Sequence, residues 1–159
     1  MSPPTALCMR FDIACPVDHA FRTWTSRIAL WWPTSHTMTG DEHLEVIIEK
    51  HVGGRIYERT RTGREADWGQ VVRWEPPRVF GFSWHLGTDA DQATDVELTF
   101  VPAGQNATIV ELVHTGWDRL GAEGPVRRER NTGGWNAVFQ HFAQTFQTDQ
   151  RAAGGQPHQ

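Results

Sequence analysis

From residue 44 onward, apolar and polar side chains alternate with a period of two, the mark of strands that keep one face in water. Val46 and Ile48 alternate with Glu45 and Glu49, and Val96, Leu98 and Phe100 alternate with Asp95, Glu97 and Thr99. Turn chemistry divides the region into segments. Gly53-Gly54 predicts a tight turn into a strand over 55–61, Thr62-Gly63 predicts the next turn, and a strand follows around 67–74. Glu75-Pro76-Pro77 predicts a loop, because adjacent prolines cannot donate to a ladder. Further strands are predicted at 79–86, 94–102 and 107–115, with loops around Gly87-Thr88-Asp89 and Gly104-Gln105-Asn106 between them.

The two ends of the chain follow other periods. Residues 6–15 read as a first strand, with Leu7, Met9 and Phe11 on one face. Pro16 then opens a helical stretch in which Val17, Phe21 and Trp24 recur at helical spacing and Asp18 favours the N-terminus. A second short piece carries Ile28, Leu30, Trp31 and Trp32, and Pro33 ends it. Pro125 opens the last helix, where Trp135, Val138, Phe139, Phe142 and Phe146 form one apolar stripe. Strand, two short helices, six strands and a long helix predict an α+β fold. Its simplest form is a curved antiparallel sheet of about seven strands wrapped around the C-terminal helix. The expected boundaries are a flexible N-terminus at 1–5, one domain over 6–149 and a disordered Ala/Gly/Gln/His tail at 150–159.

Composition narrows the function classes. A chain of 159 residues is one domain by default and buries roughly two-thirds of its unfolded surface. The 15 basic and 19 acidic residues give a net charge of −4 and are interspersed, which argues against a nucleic-acid or anionic-membrane surface. No apolar run reaches the length of a membrane span, and Met1-Ser2-Pro3-Pro4-Thr5 lacks the features of a signal peptide, so a cytoplasmic location is expected. Cys8 and Cys15, if both lie on one extended strand, are roughly 23 Å apart and beyond disulfide reach.

Eight tryptophans stand against a single tyrosine, more than a core of this size requires. Each indole adds a large apolar surface and one N–H donor that needs a partner when buried. Strand parity says where they point. With Val96, Leu98 and Phe100 inward, Val110, Leu112 and His114 face inward on the neighbouring strand, and Glu111 faces out. Phe80, Phe82, Trp84 and Leu86 share a face, which turns His85 outward. Trp68, Gln70, Val72 and Trp74 share another, as do Ile56 and Glu58. The inner wall then holds Trp68, Trp74, Phe82 and Trp84 with only Glu58, Gln70 and His114 as polar groups, the composition of a ligand pocket.

His114 is the first candidate acid or base, since its ordinary pKa lies near neutrality; its other reading is a neutral core histidine bonded to backbone or carboxylate. Glu58 can orient a ligand hydroxyl or act as a base; otherwise it pairs with an arginine or accepts a tryptophan N–H. A Glu58–His114 dyad is compatible with parity. No histidine or cysteine spacing resembles a metal motif, and neither a metal nor a cofactor is expected. Ser35-His36 and Ser83 lack the setting of a nucleophile elbow. Gly133-Gly134 weakens its helix, so it either admits a close neighbour or marks a kink.

Several motifs together resemble a known family. Gly53-Gly54-Arg55-Ile56-Tyr57-Glu58-Arg59 is similar to the GGR-x-x-E segment of the helix-grip (START/Bet v1-like, SRPBCC) superfamily. The branch is the one named after the C-terminal domain of the activator of Hsp90 ATPase. Trp68-Gly69-Gln70-Val71, Trp74-Glu75-Pro76-Pro77-Arg78 and Phe82-Ser83-Trp84 resemble its central strands. Glu111 to Trp117 and Gly134-Trp135 resemble its last strand and closing helix, and Asn131 stands where relatives often carry His or Tyr. The resemblance runs from about residue 7 to 147 and implies a helix-grip fold with a deep cavity between sheet and helix. Relatives use that cavity for apolar or aromatic small molecules, and some, such as polyketide cyclases, catalyse reactions there. The expected ligand-binding residues are Trp24, Ile56, Glu58, Trp68, Gln70, Trp74, Phe82, Trp84, Leu112, His114, Trp117, Trp135 and Phe139.

A binding protein for an apolar or aromatic small molecule is expected ahead of an enzyme, as a monomer or homodimer. The alternative is a cyclase, dehydratase or hydrolase working through His114 and Glu58. A third reading is an interaction module for an Hsp90-type chaperone. It is not expected, because the namesake's extra N-terminal domain is absent and the chain stops near its last helix.

Overall fold

The computed structural model describes residues 6–86 and 90–155. Strand β1 (Leu7–Ile13) is followed by helices α1 (Val17–Ser26) and α2 (Ile28–Trp31). Six strands come next: β2 (Glu45–Ile48), β3 (Arg55–Arg59), β4 (Glu65–Glu75), β5 (Val79–Trp84), β6 (Thr94–Gly104) and β7 (Ala107–Thr115). A 3-10 segment (Trp117–Glu123) leads into helix α3 (Gly124–Gly155). The strands form one antiparallel sheet in the order β1-β7-β6-β5-β4-β3-β2. This is the expected α+β helix-grip arrangement, a curved seven-stranded sheet gripping the C-terminal helix, with two short helices after the first strand.

Element ends shift from their predicted places by a few residues. The third and fifth strands stop earlier, at Arg59 and Trp84, and the sixth continues to Gly104. Helix α3 stays helical to Gly155, past the boundary expected at 149, because Gln150, Arg151, Ala152 and Ala153 are good helix formers. The flexible segment expected at 1–5 and the end of the tail at 156–159 lie outside the described residues, as does the loop at 87–89. Cys8 is exposed and Cys15 buried, and the two are not joined in a disulfide. No helix among the described residues is long and apolar enough to cross a membrane.

The core lies between α3 and the sheet. Val138, Phe139, Phe142 and Phe146 are all buried, and Phe139 stacks on Phe11 of β1 with centroids 4.0 Å apart. Trp24 of α1 is the hub of the cluster, with Trp31, Trp32, Phe80, Phe82, Phe139 and Phe142 around it at aromatic contact distance. Edge-to-face and tilted pairs dominate, as the ring quadrupoles favour. The outer face carries crossed charges: Arg55 with Glu65 and Asp67, Arg73 with Glu75 and Glu97, and Arg119 with Asp95.

Strand β4 departs from simple alternation, and this changes which residues face inward. Its pairing with β3 shifts so that Ile56 opposes Gly69 while Tyr57 opposes Asp67, leaving Trp68 as the extra residue of a bulge. Its pairing with β5 shifts again, with Val71 opposite Phe82 and Arg73 opposite Gly81, leaving Val72 unpaired. Each bulge resets the parity. Inward positions are therefore Trp68, Val71 and Trp74, three apart rather than two, and Gln70 and Val72 are exposed. At the first bulge the β5 backbone comes so close that only glycine fits: a Cβ on Gly69 would lie 1.8 Å from the carbonyl oxygen of Ser83.

Helix α3 runs without a break through Gly133 and Gly134, and a Cβ on Gly133 would meet nothing within 4 Å. The two glycines thus predict opposite results. Gly69→Ala is expected to lose about 3 kcal/mol or more through a backbone clash, whereas Gly133→Ala is expected to gain about 0.5–1 kcal/mol. Urea unfolding midpoints of the two variants measure both signs in one experiment.

Candidate functional site

The stripe on α3 explains where the interior is filled and where it is hollow. Toward its C-terminus the helix presents Phe139, Phe142 and Phe146 to the sheet, and these pack on the aromatic cluster. Toward its N-terminus the corresponding positions are Gly134, Asn131 and Arg127, which are too small or too polar to fill the same space. A cavity of about 320 Å³ remains there. It lies between α3, the end of β5, the start of β6, the segment after α2 and the 3-10 segment, and falls at the lower end of ligand pockets, about 300–1,000 Å³.

Four indoles line it: Trp32, Trp84, Trp117 and Trp135. Leu86, Leu120 and Val138 complete the apolar wall. Polar groups come from Thr37 and Thr94, from His36 and His85, and from Arg127, Arg130 and Asn131 at the helix side. Among the described residues no carboxylate borders the cavity.

Behind the indoles, His114 ties helix to sheet. It is fully buried on β7, accepts the Trp135 Nε1–H at Nδ1 over 3.0 Å, and meets Thr94 Oγ1 through Nε2 at 2.6 Å. An indole nitrogen can only donate, so Nδ1 must carry the lone pair and Nε2 the proton. The Thr94 hydroxyl then receives from His114 and passes its own hydrogen to the Trp84 carbonyl at 3.3 Å. The His114 carbonyl accepts from Trp117 Nε1 at 2.9 Å, so three cavity walls are held through one residue. Burial pushes the His114 pKa down to about 3, and the ring is neutral at pH 7.

Glu58, also fully buried, performs a parallel task for the segment after α2. Its Oε1 accepts from Trp68 Nε1 and from the Met38 amide, both at 2.6 Å, and its Oε2 accepts from the Thr39 amide at 2.8 Å. The Trp32 indole donates to the His36 carbonyl at 2.9 Å and closes the same segment from the other side. This places His36 on the cavity wall. Its pKa is lowered, mainly by burial and secondarily by the nearby His141. Ser35 Oγ lies 3.0 Å from His36 Nδ1.

The expected site residues divide into three groups. Trp84, Trp117 and Trp135 line the cavity, and His114 sits directly behind them. Trp24, Ile56, Glu58, Trp68, Phe82, Leu112 and Phe139 are buried in the packed core away from the cavity wall. Among them Trp24 keeps an indole N–H that meets no hydrogen-bond partner among the described residues. Gln70 and Trp74 are elsewhere, Gln70 because the β4 bulges turn it outward and Trp74 because it lies at the far end of β4. Gln70 is exposed and donates to the Gly53 carbonyl at 3.1 Å, and Trp74 packs on Phe21 and Phe80 beside an outer groove. The supposed Glu58–His114 dyad does not form, since both imidazole nitrogens are engaged by Trp135 and Thr94.

Parity missed Trp32, His36, Arg127 and Arg130, which sit outside the strands where it operates. It also set His85 outward, whereas β5 ends at Trp84 and His85 borders the cavity. Asn131 was visible in the sequence only as a departure from the family pattern, and it faces the cavity. Among the described residues no cluster of His, Cys, Asp or Glu could hold a metal ion.

The chain matches the family model described as activator of Hsp90 ATPase homolog 1-like protein over residues 14–147. Among solved structures it is similar to Txn09, an anthrahydroquino-γ-pyrone synthase, at 35% identity, over 77% of this chain and 84% of that one, with a TM-score of 0.57. It is similar to CalC, a self-sacrificing resistance protein from Micromonospora echinospora, at 27% identity over 91% and 95% of the two chains, with a TM-score of 0.71. The Hsp90 activator PFC0360w from Plasmodium falciparum shares the fold at 18% identity, over 87% and 92% of the chains, with a TM-score of 0.60. No curated protein matches the chain.

The depressed pKa of His114 sets an acid limit on stability. The unfolded chain takes up this proton near pH 6.5 and the folded chain only near about 3. Between those values the unfolded state binds more protons, so stability rises with pH there. The contribution is complete above pH 6.5 and is lost as pH falls toward about 3. A loss of about 2 kcal/mol between pH 7 and pH 5 is expected from this residue. Urea titrations at the two pH values measure it. His114→Gln, whose amide offers an acceptor and a donor without titrating, should lack most of the drop.

Proposed function

The chain belongs to the activator of Hsp90 ATPase homolog 1-like family of the SRPBCC (START/Bet v1-like helix-grip) superfamily, and from that premise we propose that it binds a small aromatic molecule in the cavity beside α3. The observation that carries the reading is the set of four indoles, from Trp32, Trp84, Trp117 and Trp135, facing one hollow of about 320 Å³. Three of these donate their N–H groups to other protein groups, to the His36 carbonyl, the His114 carbonyl and His114 Nδ1. Those walls meet a ligand with ring faces and edges rather than with free donors, and stacking governs the fit. The similarity to Txn09, whose name refers to an anthrahydroquinone, supports a planar ligand.

In this reading His114 and Glu58 hold the walls in place, because their acceptor positions are occupied by Trp135, Trp68, Met38 and Thr39. A planar aromatic such as anthraquinone is expected to quench tryptophan emission and to raise the melting temperature by several degrees at saturating concentration. Gly134→Leu places a side chain from the helix into the hollow and should abolish both effects while the variant stays folded. Binding that persists unchanged in Gly134→Leu would sink the assignment to this cavity.

A second reading, turnover of the bound molecule, is favoured by one observation. His36 lines the cavity and its pKa is held low, so its imidazole is neutral and able to accept a proton at pH 7. If the protein is an enzyme, His36→Ala is expected to lower kcat about 100-fold or more while leaving ligand affinity within a few-fold. Turnover that survives His36→Ala undiminished removes this reading.

A further inference from the structure

The cavity carries a charge asymmetry that its apolar walls do not explain. The chain as a whole is acidic, with a net charge of −4. Yet its described cavity lining holds Arg127 and Arg130 and no carboxylate. Arg127 lies in the first turn of α3, where the helix dipole favours acidic side chains and disfavours cations, and Arg130 follows about one turn later. The first turn of α3 contains no acidic residue. The helix dipole therefore gives no reason for the Arg127 charge to be there.

Their pairing does not account for them either. Arg127 keeps only 15% of its side chain exposed, and its ion pair is a long contact of 3.8 Å to Glu123, which is itself 72% exposed. The Arg130 side chain is exposed and makes no hydrogen bond or ion pair among the described residues. Asn131, one residue on, bonds through Nδ2 to the Arg127 carbonyl at 2.8 Å, so its side-chain oxygen is not used in that contact. Arg127, Arg130 and Asn131 are spaced at i, i+3 and i+4 and stand on one face of the helix, the face that borders the indoles. A guanidinium presents planar paired donors suited to a carboxylate or another oxyanion.

We propose that the ligand of this cavity is an aromatic acid: a planar ring system held between the indoles, with one anionic oxygen group directed to Arg127 and Arg130. The inference rests on the aromatic-binding reading and adds the charge of the ligand to it. Neither half is sufficient alone. Apolar walls without the arginines would select for no charge, and exposed arginines without a hollow would bind anions without regard to ring shape.

Two naphthalene probes of nearly the same shape test the proposal with the full chain: 1-anilinonaphthalene-8-sulfonate, which is anionic, and N-phenyl-1-naphthylamine, which is neutral. Fluorescence titration is expected to give at least about tenfold tighter binding of the anionic probe, a difference that shrinks in 0.5 M NaCl. In an Arg127→Gln/Arg130→Gln double variant, affinity for the anionic probe should fall about tenfold more than affinity for the neutral one. Equal affinities, or an equal loss for both probes in the variant, overturn the charge selection and leave the aromatic cavity standing. If neither probe binds the wild-type protein, the cavity reading falls and this inference falls with it. The melting temperature of the double variant confirms that it is folded when the comparison is made.

Discussion

The hydrogen bond from the Trp135 indole to Nδ1 of His114 is the contact on which the helix–sheet junction depends, because it fixes the protonation state of a fully buried imidazole. An indole can only donate, so the imidazole must accept at Nδ1 and donate at Nε2. That donation orients Thr94, whose hydroxyl then turns to the Trp84 carbonyl. With the His114 carbonyl accepting from Trp117, four elements meet at one side chain and its backbone: β5, β6, the 3-10 segment and α3. Burial displaces its pKa far downward, because a charged imidazole would sit uncompensated in the interior; once charged, it also could not accept at Nδ1.

Glu58 solves the same problem with the opposite chemistry. Three N–H groups, from Trp68, Met38 and Thr39, converge on one buried carboxylate. The segment between α2 and β2 has little regular structure of its own beyond the 3-10 turn at Thr34–His36, and these bonds hold it against the sheet. The position of Trp32 and His36 on the cavity wall follows from that anchoring. Tryptophan-rich interiors need such acceptors, since every buried indole brings a donor. Trp24, enclosed by aromatic rings at the centre of the cluster, is the position where none is supplied among the described residues.

The division between packed core and cavity arises from residue size along one helix face. Phenylalanines fill the C-terminal half of the α3 interface, and a glycine, an asparagine and an arginine leave the N-terminal half open. The abundance of tryptophan therefore serves two purposes. Trp24, Trp31 and Trp68 fill the core, whereas Trp84, Trp117 and Trp135 stop short of filling it and form walls. Trp32 does both, packing on Trp24 and Trp68 while facing the hollow. The hollow so constructed is preformed and largely apolar, with its charged groups at the helix rim.

Local pattern was enough for the element order, the sheet-plus-helix architecture and the inward faces of β5, β6 and β7, because regular strands expose alternate residues and regular helices repeat near every fourth. It failed at β4, where two bulges each inserted a residue and moved Gln70 to the surface. Only the pairing with β3 and β5 creates a bulge, so no property of the strand's own residues announces it, although Gly69 marks the place where the backbones come together. The identity of the cavity walls was likewise a tertiary decision. A sequence states that a tryptophan is apolar and faces inward, but whether it meets another ring or an empty space depends on what the opposite element brings. Here that element is α3, and Gly134, Asn131 and Arg127 decide the matter by leaving room.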